Sequence, residues 1–179
     1  MKIKYIICAL LILNLNLSYS ADQRSSYSIY TGIIFPQNYN TGFHAGATIN
    51  FGDFIKKTSF LTNLTYMTAR KDDQRFNFSD FLFSAELRSY SSYQSVKYYF
   101  GGGIGLNLLT WKESEIYTDS TRVEEYLLET FENRISFYPV IGFIKDFSRI
   151  SLFIEMKYHL ISEFNNFQIS AGIIFGKRE

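Results

Sequence analysis

Hydrophobic and polar residues alternate with a period of two along most of this chain, in eight blocks of about ten to fourteen residues. Such alternation predicts β-strands, because successive side chains of a strand point to opposite faces. The clearest block is Ile150 to Leu160. There Ile150, Leu152, Ile154, Met156, Tyr158 and Leu160 face one way, and Ser151, Glu155, Lys157 and His159 the other. The remaining blocks are Ser26–Phe35, Gly42–Phe51, Thr58–Thr68, Phe78–Tyr90, Val96–Leu109, Arg134–Phe143 and Phe167–Gly176. In Phe78–Tyr90, Phe81, Phe83, Ala85 and Leu87 oppose Ser84, Glu86 and Arg88. In Val96–Leu109, Lys97, Gly101, Gly103, Gly105 and Asn107 share the polar face.

The connections alternate as well. Those after the second, fourth and sixth blocks are short, such as Asp146-Phe147-Ser148. Those after the first, third, fifth and seventh include longer ones, the longest running from Thr110 to Asn133. Short turns at one end and longer loops at the other are the layout of a transmembrane barrel, with an even strand count placing both termini at the short-turn, periplasmic end. A soluble barrel would pack its apolar face inward, but eight strands enclose too little room for so many bulky side chains. Facing lipid, the same residues are accommodated, and the closed ladder satisfies the backbone. The pattern therefore predicts an all-β, eight-stranded antiparallel up-and-down transmembrane β-barrel. Aromatic residues near the block ends form two expected interfacial girdles: Phe35, Phe43, Phe78 and Trp111 at the loop end, and Tyr27, Phe51, Phe60, Tyr98 and Phe175 at the turn end.

Residues 1–20 differ from the rest. Lys2 and Lys4 precede an apolar stretch from Tyr5 to Leu17, and Ser18 and Ser20 supply the small residues of a cleavage site before Ala21. This predicts a cleaved signal peptide, leaving 21–179 as a single outer-membrane barrel domain. Cys8, the only cysteine, lies in that leader, so the mature chain has neither a disulfide nor a thiolate nucleophile. Of 18 basic residues two lie in the leader, so 18 − 2 = 16 remain against 17 acids. That balance does not favour nucleic acid. The expected partners are outer-membrane lipid and lipopolysaccharide, the outer-membrane assembly machinery during insertion, and an extracellular ligand of unknown identity.

Gly42-Phe43-His44-Ala45-Gly46-Ala47, Tyr99-Phe100-Gly101-Gly102-Gly103-Ile104-Gly105 and the final Ala171-Gly172-Ile173-Ile174-Phe175 complete the picture. With them the mature chain resembles the small outer-membrane β-barrel superfamily, the proteins similar to OmpX and the OmpA transmembrane domain. The resemblance implies the cell outer membrane of a Gram-negative-type organism. The family usually ends on an aromatic residue, whereas here Phe175 is followed by Gly176-Lys177-Arg178-Glu179.

Candidate chemistry centres on the lumen. Glu86, Arg88, Arg134, Glu155, Lys157 and His159 all fall on the inward parity. Charges confined there must pair, which predicts a salt-bridge plug; a narrow gated pore is the alternative. An enzyme of the lipid A-modifying kind needs a base and a nucleophile within reach of each other. Only His44 and His159 are histidine bases, and His159-Leu160-Ile161-Ser162 lacks the His-x-Ser spacing of the deacylases. The expectation is no enzyme, no cofactor and no metal. Lys112 to Asn133 carries seven acids and two bases. Thr121 with Glu124, and Val123, Tyr126, Leu127 and Phe131 at helical spacing, predict either a short amphipathic helix or a disordered or strand-extended loop. Trp111, Glu115, Tyr117, Tyr126 and Phe131 make this segment the candidate interaction loop.

Overall fold

The computed structural model describes residues 25–55, 57–71, 76–93, 96–119, 122–162 and 164–176. The leader read at 1–20 lies outside them. Eight antiparallel strands follow in order: β1 (Ser26–Pro36), β2 (Gly42–Ile55), β3 (Thr58–Arg70), β4 (Phe76–Tyr93), β5 (Val96–Asp119), β6 (Arg122–Asp146), β7 (Ser151–Ile161) and β8 (Asn166–Phe175). Each pairs with its neighbours in sequence, and β1 closes on β8 through pairs from Tyr27↔Phe175 to Pro36↔Asn166. The start of β1 and the end of β8 therefore lie at one end, with the short turns. Closure removes both free edges of the sheet. No helix occurs among the described residues.

The faces divide as the alternation predicts. Ile154, Phe137, Ile141 and Phe100 are exposed on the outside, while Ser84, Glu86, Glu155, Lys157 and His159 are buried inside. Phe35, Phe43, Tyr27, Tyr98 and Phe175 point outward near the strand ends. Phe78 and Trp111 do not. Phe78 is only 1% exposed, and both rings turn into the barrel mouth, where they pack with Tyr39 and Phe164. They share the inward parity of Asp80 and Leu109. Strand parity therefore overrides their position near the loop end.

The long connection resolves the other way from the helical reading. Residues 110–119 continue β5, and 122–133 continue β6, in unbroken register from Thr110↔Phe131 to Asp119↔Arg122. Within it Glu115 pairs with Tyr126 and Tyr117 with Glu124; the side chains of these residues lie outside the described ones. Helical spacing in the sequence loses to the cross-strand partner that β5 offers over its whole length, since ladder hydrogen bonds satisfy every backbone group pairwise. Six residues of β5 past its last pair with β4, Phe76↔Glu113, at about 3.3 Å each carry this hairpin roughly 20 Å along the strand beyond that neighbour. On its far side, β6 pairs with β7 only from Ser136↔Ile161 inward.

Small residues inside the barrel have a positional logic. Tyr30 stands directly across from Gly46, Tyr99 from Gly142, Tyr138 from Gly103, and Phe153 from Gly172. In each case the ring lies over the glycine, where even a Cβ atom would collide with it. Glycine thus makes room for large rings in a narrow lumen, and the ring covers the backbone that glycine exposes. Valine at Gly142 displaces the Tyr99 ring, so Gly142→Val should lower stability by about 1–3 kcal/mol, as overpacking does. Alanine at the outward Gly102, where a Cβ meets only a backbone oxygen at 3.2 Å, should cost less in the same urea unfolding assay.

Candidate functional site

The centre of the lumen is a cluster of two acids and two bases. Alternation along β4 puts Glu86 and Arg88 on one face, and alternation along β7 does the same for Glu155 and Lys157. The two strands lie three places apart in the barrel order, so their inward side chains meet across the lumen. Arg88 pairs with Glu86 through Nε and with Glu155 through Nη2 at 2.9 Å. The Lys157 ammonium lies 3.2 Å from a carboxylate oxygen of Glu86 and 3.2 Å from one of Glu155. Each base therefore touches both acids, and all four groups are at most 5% exposed. Mutual pairing of this kind offsets a desolvation cost that a lone buried charge could not meet.

Three tyrosines complete the cluster. The Tyr99 hydroxyl donates to Glu155 Oε2 at 2.8 Å, and the Arg88 guanidinium lies 4.5 Å from the centre of its ring. The Tyr138 hydroxyl donates to Ser84 Oγ at 2.8 Å and approaches Glu86 Oε2 at 3.3 Å. The Tyr30 and Thr65 hydroxyls are 2.5 Å apart, and Lys157 sits 5.7 Å from the Tyr30 ring. Asn63 adds its amide to Glu86 Oε2 at 3.2 Å and accepts from Thr48. Sequence reasoning misses these partners, although Tyr30, Tyr99 and Tyr138 keep the inward parity. Tyrosine suits either face of a strand, so its side cannot be read from its type.

Of the other inward residues, Arg134 lies apart, and the two histidines border the cluster through the Tyr138 and Tyr30 rings. Arg134 stands at the loop end, where its guanidinium binds Glu132 Oε2 at 2.6 and 2.8 Å and donates to the Ser162 carbonyl. Shared parity does not bring it to the central cluster, because height along the barrel, not parity, separates them. His159 is fully buried with its ring 4.4 Å from that of Tyr138. His44 is also fully buried, with Nε2 2.8 Å from Ser170 Oγ.

Apolar and aromatic clusters flank this polar interior on both sides. Toward the turns, Tyr30, Tyr99, Val140, Ile144 and Phe153 cluster, below a vestibule of about 250 Å³ in which Lys97 and Asp146 pair at 2.7 Å. Toward the loops, Ile34, Met67, Phe78, Leu109, Ile161 and Phe164 form a buried cap. Asp80, between Met67 and Leu109 in the register, is fully buried beside that cap. No group of acids, histidines and cysteines able to hold a metal occurs among the described residues.

The closed eight-strand order with a polar, filled interior and an apolar exterior decides the class. The chain has the fold of the small eight-stranded outer-membrane β-barrels. It is similar to Neisserial surface protein A, with 14% identity and a TM-score of 0.65, over 86% of this chain and 97% of that one. It is also similar to Ail, the attachment invasion locus protein of Yersinia pestis, with 12% identity, a TM-score of 0.52, and 87% and 100% of the two chains covered. The outer membrane enzyme PagL matches at 12% identity and a TM-score of 0.53, over 84% and 99%. No protein-family model and no curated protein sequence matches the chain.

Proposed function

We propose that this barrel is an integral outer-membrane protein with a closed lumen, whose work is structural or surface-interactive and not enzymatic. The apolar exterior fits the hydrocarbon layer, and the loop end faces outward with both termini in the periplasm. The observation that carries the reading is the Glu86–Arg88–Glu155–Lys157 cluster, buried and cross-paired across the lumen. With the tyrosines and the apolar clusters on either side, it supports a lumen too full for a general pore. Lipopolysaccharide surrounds the barrel, and the assembly machinery handles it on insertion.

The partner surface in this reading is the β5–β6 hairpin. It stands beyond the other strands and, by its two bases and seven acids, carries a net charge near 2 − 7 = −5. Such a charge favours basic partners. Against an enzyme stands the placement of the His44–Ser170 contact among the described residues. His44 and Ser170 are 0% and 1% exposed, inside the lumen, where an acyl chain in the membrane does not reach.

Single-channel recording of the refolded protein in a planar bilayer tests the closed lumen. The expected trace is silent or shows only brief, small events. Stable, large, ohmic conductance from the unmodified chain would move the assignment to a pore.

A further inference from the structure

Beyond the buried cap, the loop end opens into a cleft of about 430 Å³. That volume lies in the range of small-ligand sites, roughly 300–1,000 Å³. Three aromatic rings wall it: Tyr39, Trp111 and Phe164. Phe164 is almost wholly buried and stands edge-on to Trp111, 5.2 Å between centroids at 89°. Tyr39 leans over Trp111 at 5.7 Å and 35°. Phe78 supports all three from below. Tyr39 owes its place to a turn, Pro36-Gln37-Asn38-Tyr39, closed by a bond from the Tyr39 N–H to the Pro36 carbonyl at 3.4 Å. Asn38 has φ 68° there, a left-handed conformation that asparagine tolerates better than most residues.

The rim is polar in a particular way. Gln37, Asn38, Lys71, Thr130, Glu132 and Arg134 line it. Its acid and its guanidinium are already bound to each other by two contacts, at 2.6 and 2.8 Å. Within that pair the charges cancel, and the Gln37 and Asn38 amides and the Thr130 hydroxyl supply neutral hydrogen-bonding groups. A ligand for this cleft needs an apolar face to lie on aromatic rings and an edge of neutral hydrogen-bonding groups. Anions gain little here, since a carboxylate holds the guanidinium and Lys71 has a partner as well. A purely apolar ligand would strand the polar rim.

From this geometry we infer that the loop-end cleft binds a neutral saccharide, with one pyranose ring stacked over Tyr39 and Trp111 and its hydroxyls bonded to the rim. The C–H face of a pyranose is apolar and slightly positive, which suits the negative face of an aromatic ring. The hydroxyls around its edge both donate and accept, which suits the amides, hydroxyl and carboxylate of the rim. This site is separate from the central cluster and does not depend on whether the lumen conducts.

The chain has one tryptophan, Trp111, so its fluorescence reports on the wall of the cleft alone. The full-length protein, folded in a detergent without a sugar headgroup, is titrated with N-acetylglucosamine, lactose and mannobiose, and with chondroitin sulfate as an anionic probe. Saturation-transfer NMR of each sugar runs in parallel. The expected result is a saturable change in Trp111 emission with at least one neutral sugar. Tyr39→Ala, on a surface turn, should weaken that response about tenfold, one stacking contact's worth. Glu132→Gln, which keeps the rim's shape, should alter the affinity while the barrel stays folded. No response to any neutral sugar by either method overturns the proposal. So does a response confined to the sulfated probe, or one that Tyr39→Ala leaves unchanged.

Discussion

Glu155→Ala lowers the unfolding free energy of the barrel by about 3–5 kcal/mol, the usual loss when one partner of a buried ion pair is removed. Glu155 receives Arg88 at 2.9 Å, Lys157 at 3.2 Å and the Tyr99 hydroxyl at 2.8 Å. Without it, two buried cations face Glu86 alone, and the Tyr99 hydroxyl loses its acceptor. Most of the loss is the penalty of stranding those groups, not the net worth of the bonds. The double variant Glu155→Ala with Lys157→Ala removes one charge of each sign. It should therefore lose clearly less than the two single variants added together. Urea unfolding in lipid vesicles reads both effects. A single-variant loss under about 1 kcal/mol, the range of an exposed pair, would mean that water reaches the cluster freely.

Ile154→Arg should destabilise by about 2–4 kcal/mol, as arginine does on the lipid face near the bilayer midplane. Ile154 points outward and is 56% exposed. It pairs with Ala171, which pairs with Thr31, the middle residue of β1, so it belongs to the centre of the apolar band. Phe131→Arg is the control. Phe131 is outward and 71% exposed, but it stands on the projecting hairpin opposite Thr110. The same substitution at this height should change stability by less than about 1 kcal/mol, because the penalty fades toward and beyond the interface. Equal effects at the two positions would contradict the placement of the band.

Much of this architecture is legible in the amino-acid pattern. The period-2 blocks predict eight strands, and β1, β7 and β8 begin and end within a residue or two of their blocks. Parity puts Glu86, Arg88, Glu155 and Lys157 inside. The expected girdle goes wrong where position near a strand end outweighs parity, at Phe78 and Trp111, which an uninterrupted count along β4 and β5 turns inward. The helical spacing of Val123, Tyr126, Leu127 and Phe131 competes with strand extension on equal terms. Only the register with β5 decides between them, and register is a property of two segments at once.

The class of fold follows from the chain's own pattern, because which face a strand residue takes depends on its position and needs no partner. Which inward groups meet is settled only when the barrel closes. Strand register and order bring β4 and β7 across the lumen at one height, which joins Glu86 and Arg88 to Glu155 and Lys157. They leave Arg134, of the same parity, to Glu132 at the mouth. They also set Tyr30, Tyr99, Tyr138 and Phe153 each opposite a glycine, a match of volumes between strands that no single stretch of sequence contains.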